Sequence, residues 1–170
     1  RRSLLRKACY EYVMTASNDA RGIDVALLYS PFSFRLIKAD TIRVIPMKEM
    51  RPTRDILHVE GEIESGDTLH VFLLHAPSRM GGELYSRPFR MHVMERLCSA
   101  IDSLRSAYTD PKLLVMGDFN DYVDSPSLQR AYEYGLINIS AGVHGRNGAK
   151  GTYRYHGEWG SLDQILLSGN

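Results

Sequence analysis

Only two cysteines, Cys9 and Cys98, occur in the chain of 170 residues. They lie far apart and fit no CxxC spacing, so neither a disulfide-built fold nor a structural zinc site is suggested. Both read as free thiols, with Cys98 on the buried face of a helix. No apolar run reaches the ~18 residues needed to cross a membrane. No sign of charge dominates either: 21 Lys and Arg stand against 20 Asp and Glu, a formal net charge of +1. That argues against a protein that holds nucleic acid by charge alone, and it does not exclude an enzyme with a local basic cleft. There is no internal repeat, no low-complexity segment and no linker rich in Pro or Ser, so residues 1–170 read as one domain. No signal peptide is visible. The start, Arg1-Arg2-Ser3, has no Met and suggests a trimmed chain or a fragment, which leaves the compartment open.

What is present is mostly strand. Residues 10–16 (YEYVMTA) and 24–30 (DVALLYS) read as strands around an RGID turn, and 33–45 alternate well enough for another. DILHVEGEIES and TLHVFLLHA read as a hairpin turning at 65–67, SGD. The second of these is almost wholly apolar before His75, which suggests burial on both faces. A helix follows, with Ser86 as N-cap and Pro88 in the first turn. Val93, Met94, Leu97, Cys98, Ile101 and Leu104 form its apolar face, and Asp110-Pro111 ends it. KLLVMGDF is then a short buried strand, SPSLQRAYEYG a short helix closed by Gly135, 142–160 a Gly-rich stretch, and LDQILLS the last strand. Sheets packed on each other with helices outside would bury these patterns.

Three apolar strands meet a reactive group at one end. Leu73-Leu74 leads to His75, Val115-Met116 leads to Gly117-Asp118-Phe119-Asn120, and Asp163 opens the last strand. Reactive groups gather at strand ends because the strand is rigid and the loop free to vary. Asp118 and Asn120, two apart, would share a side of an extended segment, and Gly117 allows close approach of the backbone. One supplies charge, the other a neutral donor and acceptor, so together they can hold a water, a metal or an anionic oxygen. Taken singly, each feature has a plainer reading. GDFND fits a solvated turn as well as a site, His75 fits a structural histidine, and Asp163 fits a cap. The ordered set of three favours a site.

ARGIDVALLY (20–29), TRDILHVEGEI (53–63), HVFLLHAPSR (70–79), LLVMGDFND (113–121) and SLDQILLS (161–168) together resemble the endonuclease/exonuclease/phosphatase superfamily, the metal-dependent phosphodiesterases related to DNase I. They fall in that family's order and cover nearly the whole chain. The resemblance implies an α/β (α+β) fold, a sandwich of two mostly antiparallel β-sheets with helices on the outer faces. It implies that Asp118 activates or orients the attacking water, that Asn120 holds a phosphate oxygen, and that His75 contacts the scissile phosphate. Asp163 resembles an acid that orients a second histidine. Asp55 falls where some members carry an acid that orients the first, although it could simply close a strand. Ser78 and Arg79, just past His75, could bind phosphate or cap a loop.

A phosphodiester is anionic and repels hydroxide, so hydrolysis needs an oriented water and positive charge on the phosphoryl oxygens. Mg²⁺, or Mn²⁺ in its place, suits oxygen donors such as Asp118 and Asn120. The family's metal-binding glutamate has no counterpart in residues 1–20, where Glu11 lacks the motif context. The family's closing Ser-Asp-His string has none before Asn170. The expectation is therefore a fold incomplete at both ends. The 142–160 stretch mixes His144, Arg146, Lys150 and Arg154 with Tyr153, Tyr155 and Trp159. These could grip phosphates and stack on bases or sugars, or they could form a solvated loop with Tyr153 and Trp159 partly buried. The sequence reading is thus a monomeric Mg²⁺-dependent phosphoesterase or nuclease. A phosphatase or lipid phosphodiesterase on the same scaffold is the alternative, and a binding module without catalysis a further one.

Overall fold

The computed structural model describes residues 9–169; Arg1-Arg2-Ser3 and Asn170, on which the expectation of missing ends partly rests, lie outside them. Among the described residues ten strands and two helices follow in the order β1 (Glu11–Met14), β2 (Ala26–Tyr29), β3 (Phe34–Ile42), β4 (Ile56–Ile63), β5 (Thr68–His75), α1 (Glu83–Ala107), β6 (Lys112–Asp118), α2 (Pro126–Glu133), β7 (Leu136–Asn138), β8 (Tyr153–Tyr155), β9 (Glu158–Gly160) and β10 (Asp163–Ser168). Six of the strands make one sheet, ordered β3-β4-β5-β6-β10-β7. Its pairings are antiparallel except β5 with β6, which run parallel because α1 carries the chain back between them. β1 and β2 form a second, two-stranded antiparallel sheet.

Alternation along the central strands explains the layering. Ile56, Phe72, Leu74, Leu113, Val115 and Leu166 point to one face and pack beneath the apolar side of α1 and beneath Leu128 and Ala131 of α2. Leu57, Val59, Val71 and Leu73 point the other way and meet Val13 and Leu27 of the small sheet and Val25 just before it. Burying each such side chain contributes about 1.5–3 kcal/mol, so both faces of β4 and β5 are stabilising. This is the expected sandwich, with both helices on one outer face. Among the described residues no helix is long and apolar enough to cross a membrane.

Four local expectations are corrected. α1 begins at Glu83 with Gly82 as cap, one turn before Ser86. Ser86 does not cap because its hydroxyl donates back to Gly82 O (2.7 Å) and accepts from Arg90 Nη1 (2.7 Å). Pro88 consequently lies beyond the first turn. β3 stops at Ile42, and a bulge between Leu36 and Lys38 breaks its alternation. The Gly-rich 142–160 stretch contains the β8-β9 hairpin. Cys98 is buried on α1, as the helical spacing predicts, and burial pushes its thiol up to about 12.

Candidate active site

β5, β6 and β10 are neighbours, and their register decides where the polar groups fall. His75 pairs directly with Asp118, and Asp118 pairs directly with Asp163. Directly opposed residues share a face, so the three candidates from remote parts of the sequence form one row across three strand ends. Two backbone bonds close the row: Ala76 N–H donates to Asp118 O and Phe119 N–H to Leu162 O, both at 2.9 Å. Gly117 makes the close approach possible. A Cβ there would lie 2.0 Å from Leu74 O, and its φ of +141° disfavours any side chain.

Asp118 Oδ2 stands 3.6 Å from His75 Nε2, and Oδ1 accepts the backbone N–H of Asn120 at 2.8 Å. Burial raises the Asp118 carboxyl above the usual carboxylate range. The Asn120 N–H opposes that rise, the nearby charge of Asp163 adds to it, and Arg54 opposes it. His75 is held down at about 4, by burial first and then by the charges of Arg54 and Arg21. A neutral imidazole therefore faces a carboxylate. Such a ring can accept a proton or hydrogen-bond a phosphoryl oxygen without first losing one.

Asn120 departs from the alternation expected of it. β6 ends at Asp118, and Asn120 adopts a left-handed φ of +50°. Its amide turns inward and donates to Ala76 O at 2.9 Å, so it braces the loop after His75 as well as Asp118. Asp55 does not orient His75. Its carboxylate accepts from Arg43 Nη1 (2.6 Å) and from Val44 N–H (2.8 Å), which turns it to the neighbouring strand edge. Arg79 reaches the site's flank, where it pairs with Asp121 at 3.2 Å and lies over the Tyr122 ring at 5.0 Å. Ser78 lines an adjoining cavity. Tyr153 and Trp159 are exposed, 45% and 39%, and not partly buried as the loop reading expected. In the short hairpin they face solvent, with Arg154 over Trp159 at 5.6 Å. The hairpin's Gly160 sits against Tyr122, so its base adjoins the site.

Two buried clusters were not found from the sequence. Arg54 is 4% exposed; its Nε and Nη2 donate to His75 O (3.0 Å) and Ala76 O (2.7 Å), and its Nη1 to Asp19 Oδ2 (3.0 Å). Asp121, fully buried, meets Arg90 Nε at 2.8 Å and accepts the Ser127 hydroxyl at 2.5 Å. Arg90 Nε is badly directed for a hydrogen bond, so that contact is an ion pair. The signals were faint but present: Arg54 adjoins Asp55 in TRDIL, and Asp121 closes GDFND.

Among the described residues no three His, Cys, Asp or Glu side chains gather to cage a metal. Mg²⁺ does not need such a cage, because one or two carboxylates, waters and substrate phosphate suffice. Asp118 and Asp163 are directly opposed on neighbouring strands, so two carboxylates of like charge stand side by side. A cation would relieve their repulsion, so these oxygen donors fit one.

The family model described as Endonuclease/Exonuclease/phosphatase family matches residues 1–170. No curated protein matches the sequence. Among solved structures, the human Nocturnin catalytic domain with bound sulfate superposes with a TM-score of 0.72 at 18% identity, covering 98% of this chain and 63% of that one. ANGEL2, a 2′,3′-cyclic phosphatase, gives 0.74 at 14% identity over 98% of this chain and 64% of that one. A Bacteroides thetaiotaomicron mannosyl-6-phosphatase gives 0.67 at 16% identity, over 98% and 66%. At these identities the likeness establishes the DNase I-like fold. The chain spans less than two thirds of the length of each of these three structures.

Proposed function

The chain belongs to the endonuclease/exonuclease/phosphatase family, and on that premise we propose that it is the part of a phosphoester hydrolase that positions the attacking water. The observation that carries this is the in-register row His75–Asp118–Asp163 at three adjacent strand ends. Asp118 accepts a proton from the water or orients it, and its raised carboxyl brings it closer to working pH than a free aspartate. His75, neutral, hydrogen-bonds a phosphoryl oxygen. Asn120 fixes the turn, and its amide oxygen is available to water. Asp163 holds the opposite side of the row. Mg²⁺ or Mn²⁺, held through Asp118, Asn120 and Asp163, would supply positive charge to the phosphoryl oxygens. Arg154, Tyr153 and Trp159 on the hairpin contact the substrate's remoter groups. The reaction is attack of water in line with the leaving oxygen, carried out by a monomer.

The family's members act on several kinds of phosphoester, and the neighbours named above include two phosphatases of different substrates. A net charge of +1 supplies no broad basic face for a long duplex, which favours a smaller phosphoester. The test is release of p-nitrophenol from bis(p-nitrophenyl) phosphate by the full-length encoded protein with added divalent metal. Asp118→Ala should lower kcat on the order of 10²–10⁴-fold while the circular dichroism spectrum is kept. Absence of turnover with every divalent metal tried would overturn the reading. Retained affinity for a phosphoester without turnover would favour a binding module.

A further inference from the structure

Beside the strand end that carries His75 lies a cavity of about 530 Å³, large enough for a ring-bearing group. Arg54 belongs both to its wall and to the backbone brace of His75 and Ala76. Arg21, also in its wall, is close enough for its charge to act on His75. The cavity therefore opens next to the hydrolytic row.

Its chemistry is uneven. Met50, Pro52, Pro77, Met80, Tyr85 and Phe89 give it an apolar, partly aromatic side, and Arg21, Glu49, Arg51 and Arg54 stand elsewhere in its wall. Tyr85 and Phe89 meet edge to face, with centroids 5.4 Å apart and planes at 90°. That corner offers a third ring both a face and an edge. Thr53, 5% exposed, also lines the cavity, and its hydroxyl has no hydrogen-bond partner among the described residues. A buried hydroxyl left unpaired costs free energy that a ligand's polar edge would recover. A fatty chain would leave Thr53 unpaired. A flat ring with one hydrogen-bonding edge satisfies both features.

We infer that this cavity is a specificity pocket for an aryl or nucleobase-like substituent of the phosphoester, gripped by Tyr85, Phe89 and Met80 and read at its edge by Thr53. The position of the phosphate rests on the proposed hydrolase reading; the ring's binding does not.

The experiment compares two non-hydrolysable probes, phenylphosphonate and methylphosphonate, titrated into the full-length encoded protein by isothermal calorimetry or ligand-observed NMR. Phenylphosphonate should bind more tightly by about three- to tenfold, the range of one good aromatic contact. Tyr85→Ala and Met80→Ala change side chains that are 53% and 67% exposed, so the fold should persist. Each should bring the phenyl-over-methyl preference down toward one. Equal binding of the two probes, or a preference unchanged in both variants, overturns the inference. Asp118→Ala should keep the preference. If the preference is present while bis(p-nitrophenyl) phosphate is never turned over, the pocket stands and the hydrolase reading falls. Turnover without a preference does the reverse.

Discussion

Asp121 and Arg90 are both fully buried, one just past the candidate site and one on α1. Removing one partner of a buried ion pair typically costs about 3–5 kcal/mol, because the other charge is stranded in a poor solvent for it. The contacts here make the two halves unequal. Without Arg90, Asp121 keeps Arg79 at 3.2 Å and the Ser127 hydroxyl at 2.5 Å. Without Asp121, Arg90 keeps Ser86, which offers no charge, and Glu83 at 3.6 Å. Arg90→Met should therefore cost about 2–3 kcal/mol, at or below the low end of that range, and Asp121→Ala about 4 kcal/mol, in the middle of it. For a chain of this size each kcal/mol lowers Tm by about 2–4 °C, so Asp121→Ala should lose roughly 8–16 °C. The double variant removes both charges together and should cost less than the sum of the two by about 2 kcal/mol. Urea unfolding followed by circular dichroism gives all three values. If Arg90→Met proves the costlier single change, or both stay below about 1 kcal/mol, the buried-charge argument fails.

Gly117→Ala should destabilise far more than a surface change, lowering Tm by more than about 10 °C at 2–4 °C per kcal/mol, because the new Cβ would lie 2.0 Å from Leu74 O; a thermal melt within a few degrees of the parent would refute the close approach. The His58 Nε2···His70 Nδ1 contact, 3.3 Å, needs one ring to donate and the other to accept, so the two cannot both be protonated. Burial lowers both rings below the usual 6.5, and it lowers His75 to about 4. The neutral form is thus favoured by folding. This contribution is complete above pH 6.5 and is lost as pH falls from 6.5 through the folded values. The urea midpoint should drop between pH 7 and pH 5, and His70→Phe should flatten that slope. A midpoint that rises on acidification would show that the raised Asp118 carboxyl, whose effect has the opposite sign, outweighs the histidines.

The strands were legible because burial writes itself into alternation. Leu57 and Val59 face one way and Ile56 the other, and the sequence repeats that pattern in β5 and β6. The site was legible for a related reason. A buried run such as LLVM that meets a carboxylate or an imidazole at its end has few places to put it, and three such runs in one chain are hard to satisfy with unrelated turns. What alternation cannot report is which residue leaves the pattern. Asn120 at φ +50° obeys a turn and not a strand, and Asp55 is drawn away from His75 by Arg43, a partner set by the fold of a different segment. Buried charges are least legible of all. Arg90 on a helix reads as a solvated cation until the fold places Asp121 beneath it.

These hidden charges bear on how the site is held. Asp118 is fixed through Asn120, Asn120 through Ala76, and Ala76 through Arg54, which is fixed in turn by Asp19. On the other side, Asp121 follows Asn120 directly and is clamped by Arg90 and Ser127. The turn after β6 is therefore pinned at both ends by buried ion pairs, one from the strand side and one from the helix side. A loop that must present a carboxylate to a row only one side chain wide gains from such pinning, since a displacement near 1 Å is enough to spoil a reacting geometry. Conserving the charge pattern around Asp121 while changing its length, as in Asp121→Glu, should then reduce turnover more than it reduces stability. The extra methylene has to be accommodated between Asn120 and α2, and the shift is transmitted to Asp118. A variant with lowered stability and full kcat would show that the buried clamp serves the fold alone.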